Sequence, residues 1–402
     1  MQLPRRTETG LPLSDWARAQ VEAGGWVRRM FAEGQRLRAE HGEDAVADLA
    51  LGQPLGEPPA AVLAALEAAA AERFPRRHGY MPNLGYPEVR EAVATDVDHA
   101  GVRGDHIALT GGAAAAVTLA LRAVVDPGDE VVGLQPYFGE YPAYCAAAQA
   151  RFVAVAAAPD GGLDLEAVAA VLSVRTAALL LNSPCNPTGH VTTTTEMRGL
   201  ASLLEEHGRR SGRRPLLVVD EVYRNLLYDA TRVEPFDHYE VAMLARSFSK
   251  DLGLAGERIG YLAVHPAIAT GQLLSALELC QRALGFVNAP ATMQRLLLRI
   301  LPGPPVDVAA HRARRDQALA LARAAGLRPL ACEGGLYLWA PSPWRDGLAY
   351  AQALARRRVL VAPGIAFGAP AWLRVCFSAP VPVLEWALAQ AGELARAEEL
   401  TA

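Results

Sequence analysis

The segment Ser247-Phe248-Ser249-Lys250 carries the single lysine of a 402-residue chain, with Arg258 eight residues beyond it. A neutral amine adds to a carbonyl carbon to form a Schiff base, and hydroxyls with a guanidinium hold a phosphate dianion. Lys250, Ser247, Ser249 and Arg258 therefore suit an aldehyde cofactor that carries a phosphate. A Ser-x-Ser-Lys tetrapeptide is also common on ordinary surfaces, so this reading depends on what the rest of the chain supplies.

Three distant segments supply it. Leu216-Leu217-Val218-Val219-Asp220 is an apolar run ending in an acid, followed by Tyr223; it reads as a buried parallel strand with Asp220 at its carboxyl end, where open α/β sheets place their ligands. Asn182-Ser183-Pro184-Cys185-Asn186-Pro187-Thr188-Gly189 follows a second apolar run and makes a rigid turn. Ile107-Ala108-Leu109-Thr110-Gly111-Gly112-Ala113-Ala114 reads as strand, glycine turn and helix start. At such a start, backbone N–H groups and the helix dipole favour an anion. Each segment alone has a bland reading as a cap, a turn or a common junction.

The string from Ser247 to Gly260 resembles the cofactor-lysine signature of the class I and II aminotransferases, fold-type-I enzymes that use pyridoxal 5'-phosphate (PLP). Asn186-Pro187-Thr188-Gly189 resembles the same family, as does the order of the four segments. The resemblance implies that Lys250 carries PLP and acts as the base at the substrate's Cα. It implies that Asp220 keeps the pyridine nitrogen protonated, and that Tyr223 and Asn186 reach the ring's phenolic oxygen. Gly112, Ala113, Ala114, Ser247, Ser249 and Arg258 would hold the phosphate, and Phe138 would stack on the ring, an interaction worth roughly 1 kcal/mol. Tyr80 matches a tyrosine that crosses a dimer interface to the neighbour's phosphate, which implies a two-fold homodimer with shared sites. Cys185 stands where the family often has Asn, and Gln53 where close relatives often have Asn.

Arg374, within Trp372-Leu373-Arg374-Val375-Cys376-Phe377, is flanked by apolar residues on an expected strand and is costly to bury without an anion. The substrate's α-carboxylate supplies one, gripped by two parallel bonds; the backbone of Gly52 and the Asn186 side chain border the same place. No further arginine is assignable to a second carboxylate. The leading function is an amino-acid aminotransferase. A PLP-dependent lyase, cyclase or γ-replacement enzyme, acting for example on S-adenosylmethionine or a modified arginine, shares these motifs and stays open.

The elements that must position these residues follow from the pattern of apolar runs. Runs at 106–109, 130–134, 151–156, 177–182, 216–220, 241–246 and 259–264 alternate with helical stretches, the signature of an α/β fold with a mostly parallel seven-stranded sheet. The family's sheet carries one antiparallel strand. Helical stretches are expected at 14–41, with Ser14 as cap, at 60–71, at 267–301 and at 306–325, and short strands near 335–339 and 373–377. The break Pro302-Gly303-Pro304-Pro305 suggests a boundary. By resemblance the large PLP-binding domain spans 49–302, and residues 1–48 with 303–402 form a small α+β domain.

Composition narrows the classes further. A formal charge of −4 with dispersed arginines argues against nucleic acid. The first ten residues lack the apolar core of a signal peptide, and no apolar run is long enough to span a bilayer. Five cysteines without paired or metal-ligand spacing, and nine scattered histidines, fit a reducing cytoplasm and no metal.

Overall fold

The computed structural model describes residues 13–399 apart from positions 24, 55, 302, 304 and 305. The first ten residues and the three prolines of the expected break thus lie outside the described residues. Twelve strands follow one another: β1 (Ala47–Asp48), β2 (Ile107–Thr110), β3 (Glu130–Gln135), β4 (Arg151–Ala156), β5 (Thr176–Asn182), β6 (Leu216–Asp220), β7 (Ala242–Ser247), β8 (Gly260–Val264), β9 (Tyr337–Pro341), β10 (Val359–Leu360), β11 (Ala362–Pro363) and β12 (Trp372–Cys376).

The seven strands from β2 to β8 form one sheet in the order β2-β8-β7-β6-β5-β3-β4, with β8 antiparallel to both neighbours and every other pairing parallel. The apolar runs of the sequence end within a residue of these strands. Their continuity, rather than alternation, has a structural cause: both faces of the sheet are covered. Leu179, Leu181, Leu217 and Val219 point into one core with the helices Ala60–Ala71, Thr194–Ser211 and Ala291–Ile300. Ala178, Leu180, Leu216 and Val218 point into the other, with the helices Ala113–Val124 and Gly271–Ala283. Register places Asn182 beside Asp220, Asp220 beside Ala245, and Ser247 beside Gly260. Asn182, Asp220 and Ser247 thereby gather at one edge of the sheet.

A second layer packs the helices Val308–Ala324, Gly347–Arg356 and Val381–Glu399 on the antiparallel sheet β11-β12-β9. Its core includes Ala47 and Leu49 from the start of the chain, and β1 pairs with β10. Two of the long helical stretches expected from the sequence are each two helices. Asp15–Ala23 and Trp26–His41 are parted at Gly25, which holds φ at +91°. Gly271–Ala283 and Ala291–Ile300 are parted where Gly285 takes φ of +80° and Pro290 starts the next helix. Left-handed glycine ends a helix cheaply, and a composition-level reading passes over it. Ser14 does cap its helix, its Oγ accepting from Ala17 N at 3.1 Å.

Candidate active site

A cavity of about 330 Å³ opens at the carboxyl ends of β5, β6 and β7. It is lined by Lys250, Asp220, Tyr223, Asn186, Phe138, Ala113, Ala114, Ser247, Ser249, Arg258, Arg374 and Gly52. Gly112 borders it as the residue capping the helix Ala113–Val124. Tyr80, also singled out in the sequence, is absent from this wall and stands 97 % exposed on the same chain.

At the centre, the Lys250 ammonium donates to the Gly52 carbonyl at 2.6 Å. Burial pushes its pKa down to about 8, helped by the nearby Arg374 and Arg258 charges. Desolvation disfavours the charged form of an amine, so near pH 8 about half of the population is the nucleophilic neutral base.

Asp220 faces the opposite shift. Burial raises its carboxyl to about 6, against the hydrogen bond it accepts from Tyr141 Oη at 2.8 Å. Its Oδ1 is buried with no partner. A buried carboxylate oxygen left unpaired is unfavourable by about 1–3 kcal/mol or more, and a ligand N–H arriving from the cavity relieves that. Tyr141 was not assigned a role from sequence. It heads the short helix Tyr141–Ala147 and reaches Asp220 across 79 positions, a partnership that no local pattern reveals.

One end of the cavity is built for an anion. Gly112 holds φ at +100°, and a Cβ there would lie 2.7 Å from Arg258 Nη2. Only glycine lets the backbone N–H groups of the helix start and this guanidinium converge. Arg258 itself donates to Gly111 O and Ala255 O, both at 2.9 Å, while Ser247 Oγ and Ser249 Oγ lie 2.7 Å apart.

The other end centres on Arg374, which is 3 % exposed. It donates to Asn186 Oδ1 at 2.9 Å and to Ala50 O at 2.6 Å, while its Nε is buried without a partner. Tyr337 and Phe367 face the guanidinium at 4.1 Å and 4.6 Å from their ring centroids. Because Asn186 spends its oxygen on Arg374, its amide N–H₂ is free to donate elsewhere. Tyr223 pairs with Tyr337, the hydroxyl oxygens 3.0 Å apart, and burial pushes the Tyr223 phenol well above its usual pKa. Tyr337 and Phe367 went unassigned in the sequence; Tyr337 opens β9 and Phe367 closes the short 3-10 helix Gly364–Phe367. Cys185 is half-buried, and burial pushes its thiol pKa up, which disfavours the reactive thiolate.

Profile comparison matches residues 44–386 to the family "Aminotransferase class I and II". A probable aspartate aminotransferase of Methanocaldococcus jannaschii is 30 % identical over 80 % of this chain and 85 % of that protein. An aspartate/prephenate aminotransferase of Thermus thermophilus is 32 % identical over 86 % and 90 %. The crystal structure of an aminotransferase from Eubacterium rectale superposes with a TM-score of 0.88 at 27 % identity, covering 96 % of this chain and 99 % of the other. The chain belongs to the class I and II aminotransferase family and is a fold-type-I transferase.

Proposed function

We propose that this member of the family is an amino-acid aminotransferase that holds PLP in the cavity at the sheet's carboxyl edge. The observation that carries the reading is Asp220 Oδ1, buried and unpaired in the cavity that also presents the chain's one lysine. A protonated pyridine nitrogen is the partner that such an oxygen lacks. The phosphate would rest on the N–H groups that follow Gly112, the Ser247 and Ser249 hydroxyls and the Arg258 guanidinium. Phe138 would cover the ring, and the Asn186 amide with Tyr223 would face its phenolic oxygen. Bound PLP supplies an electron sink conjugated to the substrate's Cα.

The chain's own residues do the remainder. Arg374 orients the α-carboxylate through its fork, with Asn186 and Ala50 O fixing the guanidinium plane. Lys250 would take the Cα proton and return it to an adjacent carbon, its lowered pKa leaving a neutral amine available as pH approaches 8. Asp220 would hold the ring nitrogen and, when ionised, would favour a positive charge on it. Aspartate, named in both relatives, has a second carboxylate; the cations of this wall are Lys250, Arg258 and Arg374, each with a part already assigned.

A two-fold homodimer in which Tyr80 reaches the partner's phosphate belongs to the same reading, and the full exposure of Tyr80 on one chain is consistent with it. A cytoplasmic location is part of it too. No helix among the described residues is long and apolar enough to cross a membrane.

The test is a single-turnover experiment. Enzyme loaded with PLP and given an amino donor without a keto acid should release one keto acid per site and convert its cofactor to the pyridoxamine form. Sustained turnover with PLP retained and a side-chain group released would replace aminotransferase by lyase or γ-replacement enzyme.

A further inference from the structure

The cavity wall carries two acids, and the chemistry above uses only Asp220. The second is Glu140, half-buried and lining the same space. It precedes the helix Tyr141–Ala147, but its side chain makes no capping hydrogen bond there, so helix capping does not account for it. Its carboxylate has no hydrogen bond or ion pair among the described residues.

Its place along the cavity is fixed by its neighbours. A Cβ on Gly139 would come within contact of the Ala366 carbonyl, and Tyr137 N donates to Phe367 O at 3.2 Å. The strip from Tyr137 to Glu140 is therefore clasped against the segment that carries Phe367, and Phe367 lies under the Arg374 guanidinium. Through that segment Glu140 adjoins the Arg374 end of the cavity wall. The one cation at that end, Arg374, is occupied by the α-carboxylate in the reading above.

We propose that Glu140 is a specificity residue that selects amino donors whose side chain ends in a cation, an ammonium or a guanidinium. This rests on the aminotransferase reading and names the substrate class of that site. A carboxylate facing a half-desolvated cavity pairs with a distal positive charge and repels a distal carboxylate, so it discriminates by attraction and by exclusion together. Tyr144 lines the same wall and gives such a cation an aromatic face.

The experiment uses PLP-loaded enzyme and measures kcat/KM for the donor half-reaction with L-arginine, L-ornithine and L-lysine, then L-norleucine, then L-aspartate and L-glutamate. The wild type is expected to rank the cationic donors first and the acidic ones last. Glu140→Gln should lower kcat/KM for the cationic donors by about tenfold or more, while norleucine changes by less than about threefold and the acidic donors improve. Glu140→Asp, a smaller change, should keep the ranking; it also serves if the glutamine variant fails to load PLP. A wild type that prefers neutral or acidic donors overturns the assignment while leaving aminotransferase standing, as does a Glu140→Gln loss equal across all donors. An enzyme that deaminates no amino acid of any class overturns the underlying reading as well.

Discussion

Asp220→Asn should make the cofactor-free protein more stable, and by an amount that depends on pH in a calculable way. The carboxyl ionises near 6 in the folded chain and near 3.8 when free of its surroundings. A raised folded pKa means that the native state resists ionisation. The penalty is therefore absent below about pH 3.8 and fully present above about pH 6. It amounts to about 3 kcal/mol at pH 7.5 and about 1 kcal/mol at pH 4.5, from 1.36 kcal/mol per pKa unit and proton linkage. An amide keeps an acceptor for Tyr141 and never ionises. It also leaves a polar atom unpaired where Oδ1 was, at a cost that does not vary with pH. The change in the gap between the two proteins isolates the charge.

Urea unfolding of the cofactor-free variant and wild type, at one protomer concentration and at pH 4.5 and 7.5, measures it. The variant's advantage should grow by about 2 kcal/mol over that interval. Saturating PLP should then stabilise the wild type more than the variant, because a cationic ring nitrogen pairs only with the carboxylate. A gap that stays constant with rising pH would mean that Asp220 titrates as a solvated acid, and a gap that shrinks would mean that the fold already stabilises its charge; either removes the unmet demand argued for the ring nitrogen.

Three further outcomes follow from the same geometry. Because burial lowers Lys250 to about 8, borohydride-trapped attachment of PLP to this one lysine should rise with pH to a midpoint near 8; a midpoint near 10 would place the amine in solvent. Arg374→Lys should lower kcat/KM at least about tenfold with PLP affinity unchanged, since a point charge cannot reproduce the fork and truncating a buried charged partner costs roughly 2–5 kcal/mol; unaltered kinetics would put the carboxylate elsewhere. Tyr80→Phe should weaken PLP binding modestly, and hybrids with Lys250→Ala subunits should regain wild-type affinity at the one site that keeps its lysine. Hybrids no tighter than the Tyr80→Phe parent would show that Tyr80 does not cross between chains.

What was legible in the sequence follows a physical rule. Asn186, Asp220, Ser247 and the glycine turn before Ala113 each lie at or just beyond the end of an apolar run, and a parallel sheet brings such ends together whatever their separation along the chain. Their grouping in one cavity needed only the strands, and the strands were marked by composition. Tyr141, Tyr337 and Phe367 were not legible because their importance is relational. Tyr141 matters through Asp220, Tyr337 through Tyr223 and Arg374, and Phe367 through its contact with the same arginine. Each of these pairs joins elements with no shared motif. Glu140 was missed for a related reason, since an acid before a helix reads as a cap until its side chain is seen to cap nothing.

In the proposed reading, the two unpaired atoms of the site would divide it between two ligands. Asp220 Oδ1 and Arg374 Nε are both buried without a partner, and both belong to residues that line one cavity. The charges are opposite, so one ligand group cannot satisfy both. The carboxylate asks for a donor, which a ring N–H provides, and the guanidinium asks for an acceptor, which an α-carboxylate provides. Lys250 lies in the same wall, and in the proposed reading its neutral amine would meet an aldehyde carbon first and an α-proton later. A site for a single small anion would leave the Asp220 oxygen unpaired, and a site for a cation alone would do the same to Arg374. The pair of deficits fits a site that takes both a donor and an acceptor group, and the proposed reading assigns them to two ligands that bind in order. Groups that complete Asp220 should stabilise the free protein, whereas amino acids should bind well only after PLP is in place, because PLP would supply the aldehyde carbon that takes their nitrogen. Calorimetric titration of the cofactor-free protein with the preferred donor should accordingly show little binding, and strong binding there would sink the ordered scheme.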